Sequence, residues 1–113
     1  MQQLIQKLKI EDDGEKNAVL DIVSDKYCRK ILECTMYKPK TVVEISTECT
    51  IPISTVYRRI QMLHDAKMVR VSGSISEDGK KFFMYKSKIK EISSSFNGDS
   101  IQVSIVPNHL TKD

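Results

Sequence analysis

With 113 residues, 40% hydrophobic and 29% charged, the chain has the composition of one globular domain, which excludes a disordered protein and leaves little room for an enzyme with a deep cleft. The formal net charge of +3 argues only weakly for a polyanionic partner; its distribution says more, because Glu11, Asp12, Asp13, Glu15, Asp21 and Asp25 make the early chain acidic while Lys80, Lys81, Lys86, Lys88 and Lys90 run on without an acid among them. No stretch approaches the ~20 apolar residues that span a bilayer, and residues 1–9 carry too many polar side chains for a secretory signal, so a cytoplasmic protein is expected.

Residues 1–14 hold the apolar set Leu4, Ile5, Leu8 and Ile10 and then a run of acids. They read as an arm, either helix or strand. A short helix is expected over 16–23. Ser24 suits the N-cap of the next helix, with Asp25 in its first turn, where the helix dipole favours a carboxylate. Ile31 and Leu32, with Tyr27, Cys28 and Cys34 or Thr35, give an apolar stripe at helical spacing. Pro39 predicts a stop near Lys38. Thr41 and Glu44 form a capping box, each side chain satisfying the other's backbone N–H. The helix they open is short, 42 to about 49, with Val42, Ile45 and Cys49 on one side. Thr50, Ile51 and Pro52 make a tight connection, and Pro52 fits a first helical turn, where its missing N–H costs nothing.

A longer helix is expected over about 52–67. Val56, Ile60 and Leu63 form a narrow buried stripe. The opposite face carries Ser54, Arg58, Gln61 and Asp65, flanked by Thr55, Tyr57 and Met62. Two strands follow, 68–76 and 81–87, joined through Asp78-Gly79, a hairpin signal. A second hairpin is expected over 89–107. There Ile92, Ser94 and Phe96 alternate before Asn97-Gly98, and Ile101, Val103 and Ile105 alternate after it. Residues 108–113 read as a frayed tail.

The order helix, short capped helix, turn, amphipathic helix, hairpin predicts an α+β fold. It is the layout of a winged helix-turn-helix, a three-helix core plus a β-wing, with an additional C-terminal β-hairpin. The expected organisation is an arm at 1–15, a DNA-binding winged helix at 16–88, a dimerising hairpin at 89–107 and a tail at 108–113. A major groove about 12 Å wide admits the 52–67 helix. Its outward Ser54, Thr55, Tyr57, Arg58 and Gln61 then reach base edges or phosphates, with Arg58 suited to guanine and Gln61 to adenine. Arg59 lies nearer the buried edge and is expected on phosphate. Lys80 and Lys81, at the hairpin tip, are expected on the backbone or in the minor groove.

These residues also carry a family resemblance. TVVEISTECTIPISTVYRRIQMLHDAKMVRV resembles the winged-helix core of ArsR-like and MarR-like regulators. It is especially similar to archaeal ArsR-like versions, in which an STVYRRL-type recognition helix precedes L..A.LV and the wing. The matching residues are Ser54, Thr55, Val56, Tyr57, Arg58, Arg59 and Ile60, then Leu63, Ala66, Met68 and Val69; upstream, SDKYCRKIL resembles the family's first core helix. The resemblance covers roughly residues 19–85 and implies a homodimeric repressor on double-stranded DNA. Metal-sensing members carry Cys-x-Cys before the turn. Here Cys49 stands without a neighbouring cysteine, so no metal ligand is expected.

The three cysteines are expected as reduced, small apolar residues, with oxidation of Cys49 as an alternative that would disturb the turn. His64 flanks the recognition face, and His109 lies far from it in sequence. The apolar 101–105 face needs burial, on its own domain or against the same hairpin of a second subunit, and the dimer is the favoured expectation. The alternative function is a winged-helix protein–protein module of a transcription or replication assembly. No P-loop, dinucleotide turn, nucleophile elbow or metal-ligand spacing occurs. Neither a catalytic residue nor a cofactor is therefore expected.

Overall fold

Two neighbouring caps divide the first helical stretch of the computed structural model, which describes residues 6–108. Asp12 accepts the Glu15 N–H at 2.9 Å and opens α1 (Asp13–Ser24), three residues before the expected start. Asp25 then turns extended, and its carboxylate accepts the Cys28 N–H at 2.8 Å, opening α2 (Lys26–Cys34). Ser24 is therefore not the cap that the sequence suggested. It is the last residue of α1, its hydroxyl donating to the Asp21 carbonyl at 2.9 Å. A charged carboxylate is the stronger acceptor for the exposed N–H groups and wins the position. α2 also ends earlier than Pro39 requires. Buried Thr35 turns its hydroxyl back onto the Ile31 carbonyl at 2.8 Å, and the helix stops one residue before it.

The capping box forms as expected. The Thr41 N–H donates to Glu44 Oε1 at 2.8 Å, the Glu44 N–H donates to Thr41 Oγ1 at 3.1 Å, and α3 (Val42–Cys49) follows. Thr50 ends it in the left-handed region, at φ 54° and ψ 52°. Ser46 closes the turn, its carbonyl accepting the Ile51 N–H at 3.1 Å and its hydroxyl donating to the Ile51 carbonyl at 2.6 Å. α4 (Ile53–Asp65) is shorter than expected at both ends. Pro52 is its cap, and Lys67, at φ 62°, turns the chain into the first long strand.

β2 (Val69–Ile75) and β3 (Lys81–Ser87) pair antiparallel from Val69↔Ser87 to Ile75↔Lys81. Gly79, at φ 84°, donates its N–H to the Ser76 carbonyl at 2.9 Å, the bulged type I turn of a five-residue connection. Lys40, between α2 and α3, pairs with Tyr85 as an isolated bridge beside β3.

The second sheet has the order β1-β5-β4. β4 (Ile89–Phe96) and β5 (Ile101–Pro107) form the expected hairpin, and the arm resolves as a strand, β1 (Leu8–Ile10), which adds to β5 through Lys9↔Ser104. The described residues thus make four helices and two small antiparallel sheets, an α+β fold. Among them no helix is long and apolar enough to cross a membrane. Leu4, Ile5 and His109 lie outside the described residues.

A single core joins these parts. Ile31, Ile45, Val56 and Leu63, from three helices, are fully buried together with Val103 of β5. Ile101 and Ile105 pack against the same cluster. The apolar face of the second hairpin thus packs on its own chain, Val103 fully buried and Ile101 and Ile105 half-buried. Lys16 of α1 reinforces this docking by donating to the Ile101 carbonyl at 3.0 Å. Two further expectations change. Lys86 does not join a positive surface, being buried with its Nζ donating to the Tyr37 carbonyl at 3.1 Å. Asn108 is no frayed end: its amide donates to the Met36 and Ser87 carbonyls at 2.8 and 2.9 Å.

Replacing Thr50 with Gly removes a left-handed penalty of roughly 1–2 kcal/mol, less the added chain entropy of glycine. A net gain of about 0.5–1 kcal/mol is expected, read as a higher denaturant midpoint at unchanged slope. Asn108→Ala leaves one buried and one part-buried carbonyl without this donor and is expected to cost about 2 kcal/mol by the same measurement.

Candidate functional site

α4 is seated by the stripe the sequence indicated. Val56, Ile60 and Leu63 are buried, so the far side of the helix faces solvent. Ser54, Tyr57, Arg58 and Gln61 are exposed on that side, and Thr55 is half-buried at its flank. The Gln61 amide donates to Asp65 Oδ1 at 2.9 Å across one exposed turn. His64 is exposed in the last turn. Pro52 offers no side-chain cap, so the first N–H groups of α4 have no carboxylate or hydroxyl over them from that position.

Arg59, expected on phosphate, also has partners within the chain. Its Nε donates to Asp25 Oδ2 at 3.0 Å, and its guanidinium lies 5.7 Å from the Tyr27 ring centroid. It is a brace between α4 and the start of α2, not an arm extended with Arg58. The adjacent arginines diverge because successive helical residues lie about 100° apart, which sets Arg59 beside the buried stripe. Partial burial opposes ionisation of Asp25. The hydrogen bonds from Arg59 and the Cys28 N–H outweigh it and hold the carboxyl below its ordinary range.

Lys80 and Lys81 are exposed on and beside the β2–β3 turn, a different element from α4. Lys81 Nζ lies 5.4 Å from the Phe83 ring centroid. Glu77 and Asp78 share this tip. The Ser76 hydroxyl, donating to Asp78, holds that carboxyl below its usual range. Two acids offset two lysines there, so the tip is less positive than the lysine run suggested.

The sequence reading missed Ile53. It is the first residue of α4, set between the buried stripe and Tyr57. The structure leaves it 44% exposed beside Tyr57, which is 59% exposed. Burial raises the Tyr85 pKa, and the Tyr57 phenol adds to the rise. Ile53 and Tyr57 give the polar face of α4 an apolar and aromatic border.

The thiols follow their packing. Burial pushes Cys28 up to about 12, with the Asp25 carboxylate adding to it. Burial likewise pushes Cys34 up to about 12, its hydrogen bond with Cys49 adding to it. Among the described residues no three His, Cys, Asp or Glu side chains gather in metal-binding fashion. A groove of about 420 Å³ between α1, the end of α4 and the second sheet has apolar walls, with Asp12, Glu15, Asp65 and Lys67 among its lining. The chain matches no protein-family model, and no curated protein matches it.

Two outcomes are expected. Iodoacetamide at mildly alkaline pH should leave Cys28 and Cys34 of the native protein unmodified, both reacting only after unfolding, as read by mass spectrometry. Asp25→Ala should cost about 1–2 kcal/mol at neutral pH through the lost cap and brace. Because the folded carboxyl titrates below its unfolded value near 4, this contribution is present above about pH 4 and lost as pH falls through the folded pKa. Denaturation curves of wild type and variant should therefore converge in acid.

Proposed function

We propose that the chain is a winged-helix DNA-binding transcription regulator that lays α4 in the major groove of double-stranded DNA. The observation that carries this reading is the division of α4 into a buried Val56, Ile60, Leu63 side and an exposed Ser54, Tyr57, Arg58, Gln61 side. A short capped helix and a three-residue turn precede α4, and a hairpin follows it, which is the order a winged helix-turn-helix requires. The Lys40↔Tyr85 bridge supports the reading further, since it sets a segment between the first two core helices beside the hairpin. The uncapped start of α4 suits phosphate, which helix N-termini attract.

In this reading Arg58 is the principal base or phosphate ligand, with Ser54, Thr55 and Gln61 beside it. Arg59 fixes the pitch of α4, and Lys80 and Lys81 touch the backbone at the wing. The protein acts as a repressor in the cytoplasm, on the nucleoid, without cofactor or catalysis. A two-fold pair of chains sets two recognition helices about 34 Å apart, one turn of DNA. A second reading, a winged-helix protein-interaction module, is favoured by one observation: Ile75 is 71% exposed near the wing tip, with Phe83 exposed on the same face.

Fluorescence anisotropy on a labelled duplex tests the two readings. Affinity is expected to fall steeply with salt. Arg58→Ala should weaken binding by about 10-fold or more. Arg59→Ala should lower the melting temperature while leaving the salt slope unchanged. Salt-insensitive binding, or binding indifferent to Arg58, overturns the DNA reading. Loss of a protein partner on Ile75→Ser would then support the second.

A further inference from the structure

We infer that Ile53 and Tyr57 form an apolar reader for the C5-methyl group of pyrimidines in the major groove, so that the protein discriminates thymine from uracil, and 5-methylcytosine from cytosine. The inference rests on the DNA-binding reading of α4 and names the chemistry its apolar border recognises.

Ile53 and Tyr57 are one helical turn apart, so their side chains are neighbours on α4. Both are large and exposed, although the helix has a separate, complete buried stripe in Val56, Ile60 and Leu63. Both thus leave a large share of apolar surface in solvent beyond what seats α4, 44% of Ile53 and 59% of Tyr57. Their place at the N-terminal end matters, because that is the part of a recognition helix that meets base edges. Both sit in the first turns of a helix fixed by its buried stripe, and Ile53 follows Pro52 directly.

Charge selects the occupant. Arg58 stands exposed next to Tyr57, and the uncapped N–H groups of α4 lie beside Ile53. A polyanion satisfies these donors, whereas an apolar protein surface would bury them unpaired. On the floor of a major groove the apolar group on offer is the pyrimidine C5-methyl. Withdrawing one methyl from water is worth about fourfold in affinity.

The test uses the full chain and needs no prior operator. Duplexes that the protein retains from a short random-sequence pool are resynthesised in three forms: with dTTP, with dUTP in its place, and with dUTP plus 5-methyl-dCTP. Wild type should bind the uracil form about fourfold or more weakly for each methyl lost at the interface. The loss in the uracil form assigns the contact to thymine; tighter binding of the third form than of the second extends the reader to 5-methylcytosine, and equal binding of those two overturns the 5-methylcytosine part of the inference. Ile53→Ser with Tyr57→Ser should bind all three forms alike, with a melting temperature near that of wild type because both positions are exposed. Equal binding of the thymine and uracil forms by wild type overturns the inference while leaving Arg58-dependent DNA binding standing, as does discrimination that survives in the double variant. Failure to retain any duplex, as expected if a protein occupies this face, overturns both.

Discussion

One carboxylate, that of Asp25, ties three helices together. It stands at the break where α1 ends, caps α2 through the Cys28 N–H, and receives Arg59 of α4. The break lets α1 and α2 pack at an angle, so that Val19 and Ile22 reach the same core as Ile31 and Leu32. The ion pair braces the rotation of α4 that its buried stripe sets. With Arg59 held on Tyr27 and Asp25, the Val56, Ile60, Leu63 stripe faces inward and Arg58 outward. The pair is only partly exposed, at 23% and 24% for the two side chains, and each partner has further contacts. It therefore escapes much of the solvent screening that makes a fully exposed pair nearly worthless.

The outward face that results is not simply basic. Arg58 is its cation, Gln61 is engaged with Asp65, and Ile53 and Tyr57 border it. Such a face depends on shape and hydrogen bonding more than on net charge, in keeping with a chain whose total is only +3. The wing tip repeats the theme, with two lysines answered by two acids. In the proposed function, charge would bring the molecule to the phosphates only modestly, and base-edge contacts would carry more of the discrimination.

The second sheet serves the core before it serves any partner. Its Val103 face is spent on the helices, and β1 covers one side of β5. The edge of β4 away from β5 has no strand beside it among the described residues. In the proposed dimer, a second copy has that edge and the outer surface of the sheet to meet, not the apolar face of the hairpin.

How much could be read without coordinates differs by kind of interaction. Local chemistry was legible. The Thr41–Glu44 box, the Asp-Gly and Asn-Gly turns and the 56-60-63 stripe each act over a few residues, where backbone geometry leaves few choices. Competition between neighbours was less so. Ser24 against Asp25, and Thr35 against the expected stop near Lys38, turn on which acceptor or donor wins within one turn. Long-range partners were not legible at all. Lys86 reads as surface until Tyr37 is beside it, Asn108 as a tail until Met36 and Ser87 accept its amide, and Arg59, placed nearer the buried edge by the helical period, shows no partner until Asp25 lies within 3.0 Å. The sequence alone determined the core helices, the two hairpins and the inward side of α4, because period and capping are local, but not that the arm is a strand. Tertiary structure decided which polar side chains remain free to act, because that depends on partners far away in sequence that only folding brings within hydrogen-bond reach.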